Sequence, residues 1–74
     1  MVGFDIGTTI EWDWGSGVGA GKIVAVYTQK RTLKIAGAEV TRNASDDCPS
    51  YKIEQKDGDL VFKSHSEVRK ARHG

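Results

Sequence analysis

Apolar and polar residues alternate with a period of two through most of the chain, the pattern of half-buried strands. The clearest run is Thr9 to Trp14, where Ile10, Trp12 and Trp14 occupy one parity and Thr9, Glu11 and Asp13 the other. With Thr8 included, Thr8 to Trp14 reads as the first strand. Gly15, Gly17, Gly19 and Gly21 follow as a glycine-rich connection, their missing Cβ atoms suiting a turn or a close approach of backbones, and Gly21 to Gln29 reads as the second strand. That strand is apolar on both parities (Ile23, Ala25 and Tyr27; Val24 and Val26), which suits a bent strand serving a small barrel from both of its halves. Leu33 to Arg42 reads as a third strand with a kink or tight turn at Ala36-Gly37. Tyr51 to Gln55 alternates cleanly as a fourth. The Asp57-Gly58 pair then signals a hairpin turn into a fifth strand, Leu60 to Lys63. Asn43 to Pro49 is turn chemistry throughout. Ser64 stands three residues before Glu67, the spacing of a capping box on one short helical turn.

Five short strands and almost no helix predict an all-β fold, a small five-stranded SH3-like barrel with a short C-terminal helical turn. Its expected core is Ile10, Trp12, Ile23, Val26, Ile35, Val40, Ile53 and Val61. No linker or repeat divides the chain, so residues 1–74 read as one domain whose last residues, from about 70 to 74, fray. At 74 residues such a domain buries little surface and leans on its aromatic side chains for stability.

Composition then removes function classes. A net charge of +1 supplies no global field to steer an anionic partner. A single cysteine, Cys48, excludes an internal disulfide and a multi-cysteine zinc site. No metal or cofactor is expected. The start has neither the basic nor the apolar segment of a secretion signal, and no apolar run is long enough to cross a bilayer, so a cytoplasmic location is expected. Oligomeric state is not legible in the pattern.

Two catalytic readings fail on chemistry. Gly15 to Ala20 fits a loose dinucleotide glycine pattern, but no helical period follows it, and a P-loop would need a hydroxyl where Ile23 stands. Ser64, His65 and Ser66 resemble a nucleophile beside a base. Adjacent strand residues point apart, however, and Ser64 already serves as a cap. No catalytic residue is expected.

The order of landmarks is similar to the hypervirulence-associated protein Tudor domains, a family of small bacterial and fungal domains. The resemblance is carried by Gly7-Thr8, Trp12 and Trp14-Gly15, Gly19 and Gly21, and the run Gly37 to Ser45 that contains Arg42-Asn43-Ala44-Ser45. It continues through Asp47, Pro49, Tyr51, Ile53-Glu54-Gln55 and Asp57-Gly58 to Lys63-Ser64-His65-Ser66-Glu67. It covers almost the whole chain and implies an SH3-like or Tudor-like barrel. Tudor-like domains hold methylated lysine or arginine in aromatic cages.

Binding chemistry is therefore sought among aromatic rings beside a carboxylate. Trp14, Tyr27 and Tyr51, with Asp46, are the candidate ligand-binding residues, on the expectation that the loops carrying Trp14 and Tyr51 approach at one barrel end. Trp12, in mid-strand, is expected in the core, whereas Trp14 suits core and rim equally. A protein or peptide partner is the first reading. Nucleic acid is the alternative, through the basic cluster Lys30, Arg31 and Lys34, with a second cluster at Arg69, Lys70 and Arg72. Arg42 is expected to pin the following loop through Asp46 or Asp47, with an anion site as the other reading.

Overall fold

A computed structural model describes residues 3–71. The fold is all-β, with β1 (Thr9–Trp14), β2 (Gly17–Tyr27), β3 (Arg31–Ile35), β4 (Ala38–Arg42), β5 (Ser50–Glu54), β6 (Leu60–Ser64) and β7 (Arg69–Lys70). A 3₁₀ turn, His65–Glu67, lies between β6 and β7. A five-stranded sheet runs in the order β6-β5-β2-β1-β7, and β3 and β4 form a separate hairpin that packs on β6. All the pairings are antiparallel. β2 is the shared strand. Its first half pairs with β1 and its second half with β5, with a register shift between Ile23 and Ala25. That irregularity bends the strand and lets it serve both halves of a small SH3-like, Tudor-like sheet.

The glycine-rich stretch departs from expectation. Only Gly15 and Ser16 form the connection, and Gly17 to Gly21 are strand, paired with β1. Gly15 has a φ of 56° while Ser16 keeps an ordinary backbone, the pattern of a type II′ two-residue turn. The other glycines answer to packing. Trp12 lies opposite Gly19, and a Cβ placed there would sit 2.6 Å from the Trp12 Nε1. One at Gly21 would sit 2.6 Å from Ile53 Cγ2 and 2.7 Å from the Glu54 carbonyl oxygen. The indole lies on bare backbone, and β2 and β5 close up where Gly21 has no side chain.

The expected third strand is two. Ala36 (φ 50°) and Gly37 (φ 84°) are both left-handed, as a type I′ turn requires, so the chain reverses there and Ile35 faces Ala38. Alanine resists this conformation by about 1 kcal/mol. Ala36→Gly is therefore expected to raise the melting temperature by about 4–8 °C, and an unchanged or lower value in calorimetry would refute strain at this turn.

The core is Ile10, Trp12, Ile23, Tyr51 and Ile53, with Phe62 also buried. Phe4, Val26, Val61 and Val68 pack on it half-buried. Ile35 and Val40, expected in the core, are half-buried on the separate β3–β4 hairpin instead. At the C-terminal end, the Ser64 N–H donates to the Glu67 carboxylate at 2.9 Å, forming the acidic arm of the expected box. Lys70, expected to open the frayed tail, pairs with Ile10, and the Ala71 N–H donates to the Thr9 carbonyl at 3.1 Å. Arg72 and the rest of the expected tail, residues 72–74, lie outside the described residues. No helix among the described residues is long and apolar enough to cross a membrane.

Candidate functional site

The residues singled out for binding do not gather. Trp14 lies at the tip of the β1–β2 hairpin, opposite Gly17, whereas Tyr51 pairs with Val26 near the other end of β2. The strand between those two positions runs for at most about 30 Å and bends at Ile23–Ala25 on the way. The ladder therefore separates the two loops that were expected to approach. Neither Tyr51 nor Asp46 borders the cleft beside Trp14.

Tyr51 is a core residue, with 0% of its surface exposed. Its hydroxyl accepts from the Phe4 N–H at 3.0 Å and lies 2.8 Å from His65 Nδ1. The His65 ring stands edge-on to the Tyr51 ring, and the Phe4 ring is tilted against both. The hydroxyl thus ties the N-terminal segment and the 3₁₀ turn to β5, a structural task. Burial pushes the Tyr51 pKa above its ordinary value of 10.0, the hydrogen bond from Phe4 offsets part of this, and Cys48 adds to it. A folded pKa raised above the unfolded one means stability fully present below pH 10 and lost as pH rises through the folded pKa. Urea midpoints are expected to fall more steeply above pH 10 in the parent than in Tyr51→Phe. Parallel curves would mean that Tyr51 ionises equally well in the folded chain.

Asp46 is exposed in the 43–49 loop, which is held from within: the Ser45 N–H donates to the Cys48 carbonyl, and the Cys48 N–H to Ser45 Oγ, both at 3.1 Å. Arg42 does not pin this loop through Asp46 or Asp47. Its Nε stands 3.4 Å from Glu67, which also has Lys63 at 4.0 Å. The guanidinium therefore ties β4 to the 3₁₀ turn, because Glu67 already lies there as the capping acid. Tyr27 is half-buried, edge-on to Phe62 with ring centroids 5.8 Å apart, and the Arg31 guanidinium lies 4.9 Å over its face.

The basic cluster is divided as well. Arg31 and Lys34, three apart on β3, point to opposite faces of the hairpin, and Lys34 lies opposite Glu39. Lys30 precedes the strand. Arg69 is held by Glu11 at 2.9 Å and Asp13 at 3.3 Å. Its hydrogen bond to Glu11, with Asp13 beside it, holds its charge more firmly than usual. These cations form no single stripe.

What the structure does offer is a cleft of about 400 Å³ lined by Trp12, Trp14, Gly19, Gln55, Val61 and Lys63, with Val18 at its border. Trp12, only 3% exposed, forms part of its wall, and Trp14, 72% exposed, stands at its mouth. Trp14 remains open because the residue opposite it, Gly17, has no side chain. Sequence reasoning named both tryptophans but missed Gln55, Val61 and Lys63. They come from β6 and the residue that follows β5, and only the pairing of β5 with β2 brings them there. Among the described residues, no group of three or more His, Cys, Asp or Glu side chains comes together to hold a metal ion.

No curated protein and no solved structure matches the chain. A family model described as the TUDOR domain of hypervirulence associated proteins matches residues 7–68. That span runs from the glycine before β1 through the 3₁₀ turn to Val68, so it takes in both tryptophans, the shared β2 and every strand lining the cleft. The chain therefore belongs to the hypervirulence-associated protein TUDOR domain family, and its small all-β architecture agrees with that membership.

Proposed function

We propose that this domain is a non-catalytic module that binds a protein or peptide through the cleft between Trp12 and Trp14. The observation that carries the reading is the 72% exposure of Trp14 on a hairpin whose neighbouring indole is fixed in the core. An indole left in water beside a cleft walled by a second indole and Val61 is the kind of anchor that concentrates binding energy in interfaces. The family membership supports the coarser part, a small interaction module. Tyr27, Tyr51 and Asp46 take no part in this site.

Nucleic-acid binding through Lys30, Arg31 and Lys34 is the weaker reading, because strand parity divides the cluster between two faces. The two readings differ in salt response. A phosphate-tracking surface loses affinity steeply between 50 and 200 mM salt, about a thousandfold for six contacts, whereas an apolar cleft loses little. Partners captured from lysate at both salt concentrations, alongside titrations with single-stranded and duplex DNA, separate them. Trp14→Ala is expected to weaken partner binding at least about tenfold with a melting temperature close to that of the parent. Unchanged binding by a folded Trp14→Ala protein would end the cleft reading. Tight, salt-sensitive DNA binding would put nucleic acid first.

A further inference from the structure

Along Gly17 to Gly21, one edge of β2 has no neighbouring strand among the described residues. Its pairing with β5 starts at Lys22–Glu54 and runs toward Tyr27, while Gly17 to Gly21 pair only with β1. Backbone parity shows which groups are left over. The Ile23 N–H donates to the Thr8 carbonyl and the Ile23 carbonyl accepts from the Gly7 N–H. The odd-numbered residues of this half of β2 therefore turn their backbone toward β1, and alternation turns the N–H and C=O of Val18 and Ala20 the other way. Among the described residues, no backbone hydrogen bond reaches those four groups. β5 does not continue beside them, because the Gln55 N–H donates to the Asp59 carbonyl at 2.7 Å and closes the turn into β6.

This edge lies between two clefts that share Gln55. One is the tryptophan cleft. The other, about 470 Å³, is bordered by Ala20, Lys22, Glu54, Gln55 and Lys56. A strand laid along Val18–Ala20 would send alternate side chains to the two faces, one set toward each cleft. The first cleft is walled by the indoles and Val61, and its one cation, Lys63, stands 4.0 Å from Glu67. The second has two lysines against one glutamate, and neither Lys22 nor Lys56 makes an ion pair among the described residues. Lysines flanking an open edge are also the charges that blunt edge-to-edge pairing with a second copy.

The geometry points to an extended peptide segment of alternating apolar and acidic side chains that joins the sheet as an added strand along Val18–Ala20. This inference rests on the cleft reading above and adds the backbone mode and the ligand's chemical class. An antiparallel strand bonded to Val18 and Ala20 shares their face at the bonded positions, so its acidic residues carry the inward N–H groups and its apolar residues face the indoles.

The test is a titration of the ¹⁵N-labelled domain, followed by amide NMR. The probe is a capped hexapeptide of alternating valine and glutamate, compared with its valine–lysine counterpart and with two versions of the acidic peptide, N-methylated at the glutamates or at the valines. The acidic peptide is expected to shift the Val18 and Ala20 amides and to slow their hydrogen exchange. N-methylation at the glutamates should weaken binding at least about tenfold, while N-methylation at the valines is tolerated. The lysine peptide should bind at least about tenfold more weakly, and Lys22→Glu with Lys56→Glu should reverse that preference. Equal tolerance of both methylated peptides, with Trp14→Ala still abolishing binding, would overturn strand addition and leave the cleft reading standing. Equal affinity for the acidic and basic peptides would overturn the charge assignment. No shift at Val18 or Ala20 up to millimolar acidic peptide would overturn the inference. Undiminished binding by Trp14→Ala would remove the cleft reading itself.

Discussion

Trp12→Ala is expected to lose about 3–5 kcal/mol, most or all of the stability of a domain this small. Trp12 joins three parts of the molecule. It packs with Ile10, Ile23, Tyr51 and Ile53 in the core, it lies on the bare backbone of Gly19 across the hairpin, and it forms a wall of the cleft. Removing it opens a cavity beside a strand that has no side chains at Gly17, Gly19 or Gly21 to collapse into the space. Urea unfolding followed by far-ultraviolet circular dichroism reads the effect. Trp12→Phe, which keeps a ring over Gly19, should retain part of the stability. A Trp12→Ala midpoint close to that of the parent would show that the indole is not what holds the hairpin to the core.

Gly21→Ala is expected to cost about 2–3 kcal/mol, the upper part of the range for overpacking. The added methyl would meet the Glu54 carbonyl oxygen at 2.7 Å as well as Ile53 Cγ2 at 2.6 Å. A side chain can rotate away, but a carbonyl in the ladder moves only with its strand, and this is where β2 passes from β1 to β5. At Gly19 the obstacle is the Trp12 ring, which has somewhat more freedom to shift. At Gly17 the nearest atom is the Trp14 carbonyl oxygen at 3.7 Å, so Gly17→Ala should be nearly neutral. The expected order of destabilisation is Gly21, Gly19, Gly17. Equal melting temperatures for the three alanine variants would mean that the glycines are retained for flexibility rather than for close approach.

The all-β class, most strand positions and the burial of Ile10, Trp12, Ile23 and Ile53 were legible in the chain, because a period of two and the position of turn residues are local properties, while the landmarks from Gly7 to Glu67 carried the family resemblance. The Ala36-Gly37 reversal was half legible. A kink and a turn share the same residues, and the left-handed backbone of both separates them. The glycine run was likewise half legible. Glycine marks a loop and a close approach equally well, and the ring that fills the space above Gly19 belongs to the opposite strand.

The candidate site was legible only at its tryptophans. Tyr51 follows a proline and a polar loop, the local setting of a rim residue, yet the β2–β5 register places it in the core and gives its hydroxyl to Phe4 and His65. Arg42 has acidic residues four and five positions ahead, yet its partner is Glu67 on the 3₁₀ turn. By itself, then, the sequence determined most of the segments that are strands, most of the turns and the burial of Trp12. Each of these depends on neighbours within a few residues. The tertiary structure alone decided that Trp14 stands apart from Tyr51 and Asp46, that Gln55, Val61 and Lys63 complete its cleft, and that Val18 and Ala20 present an open edge. Strand order and register set these relations, and register depends on hydrogen bonds between residues far apart in the chain.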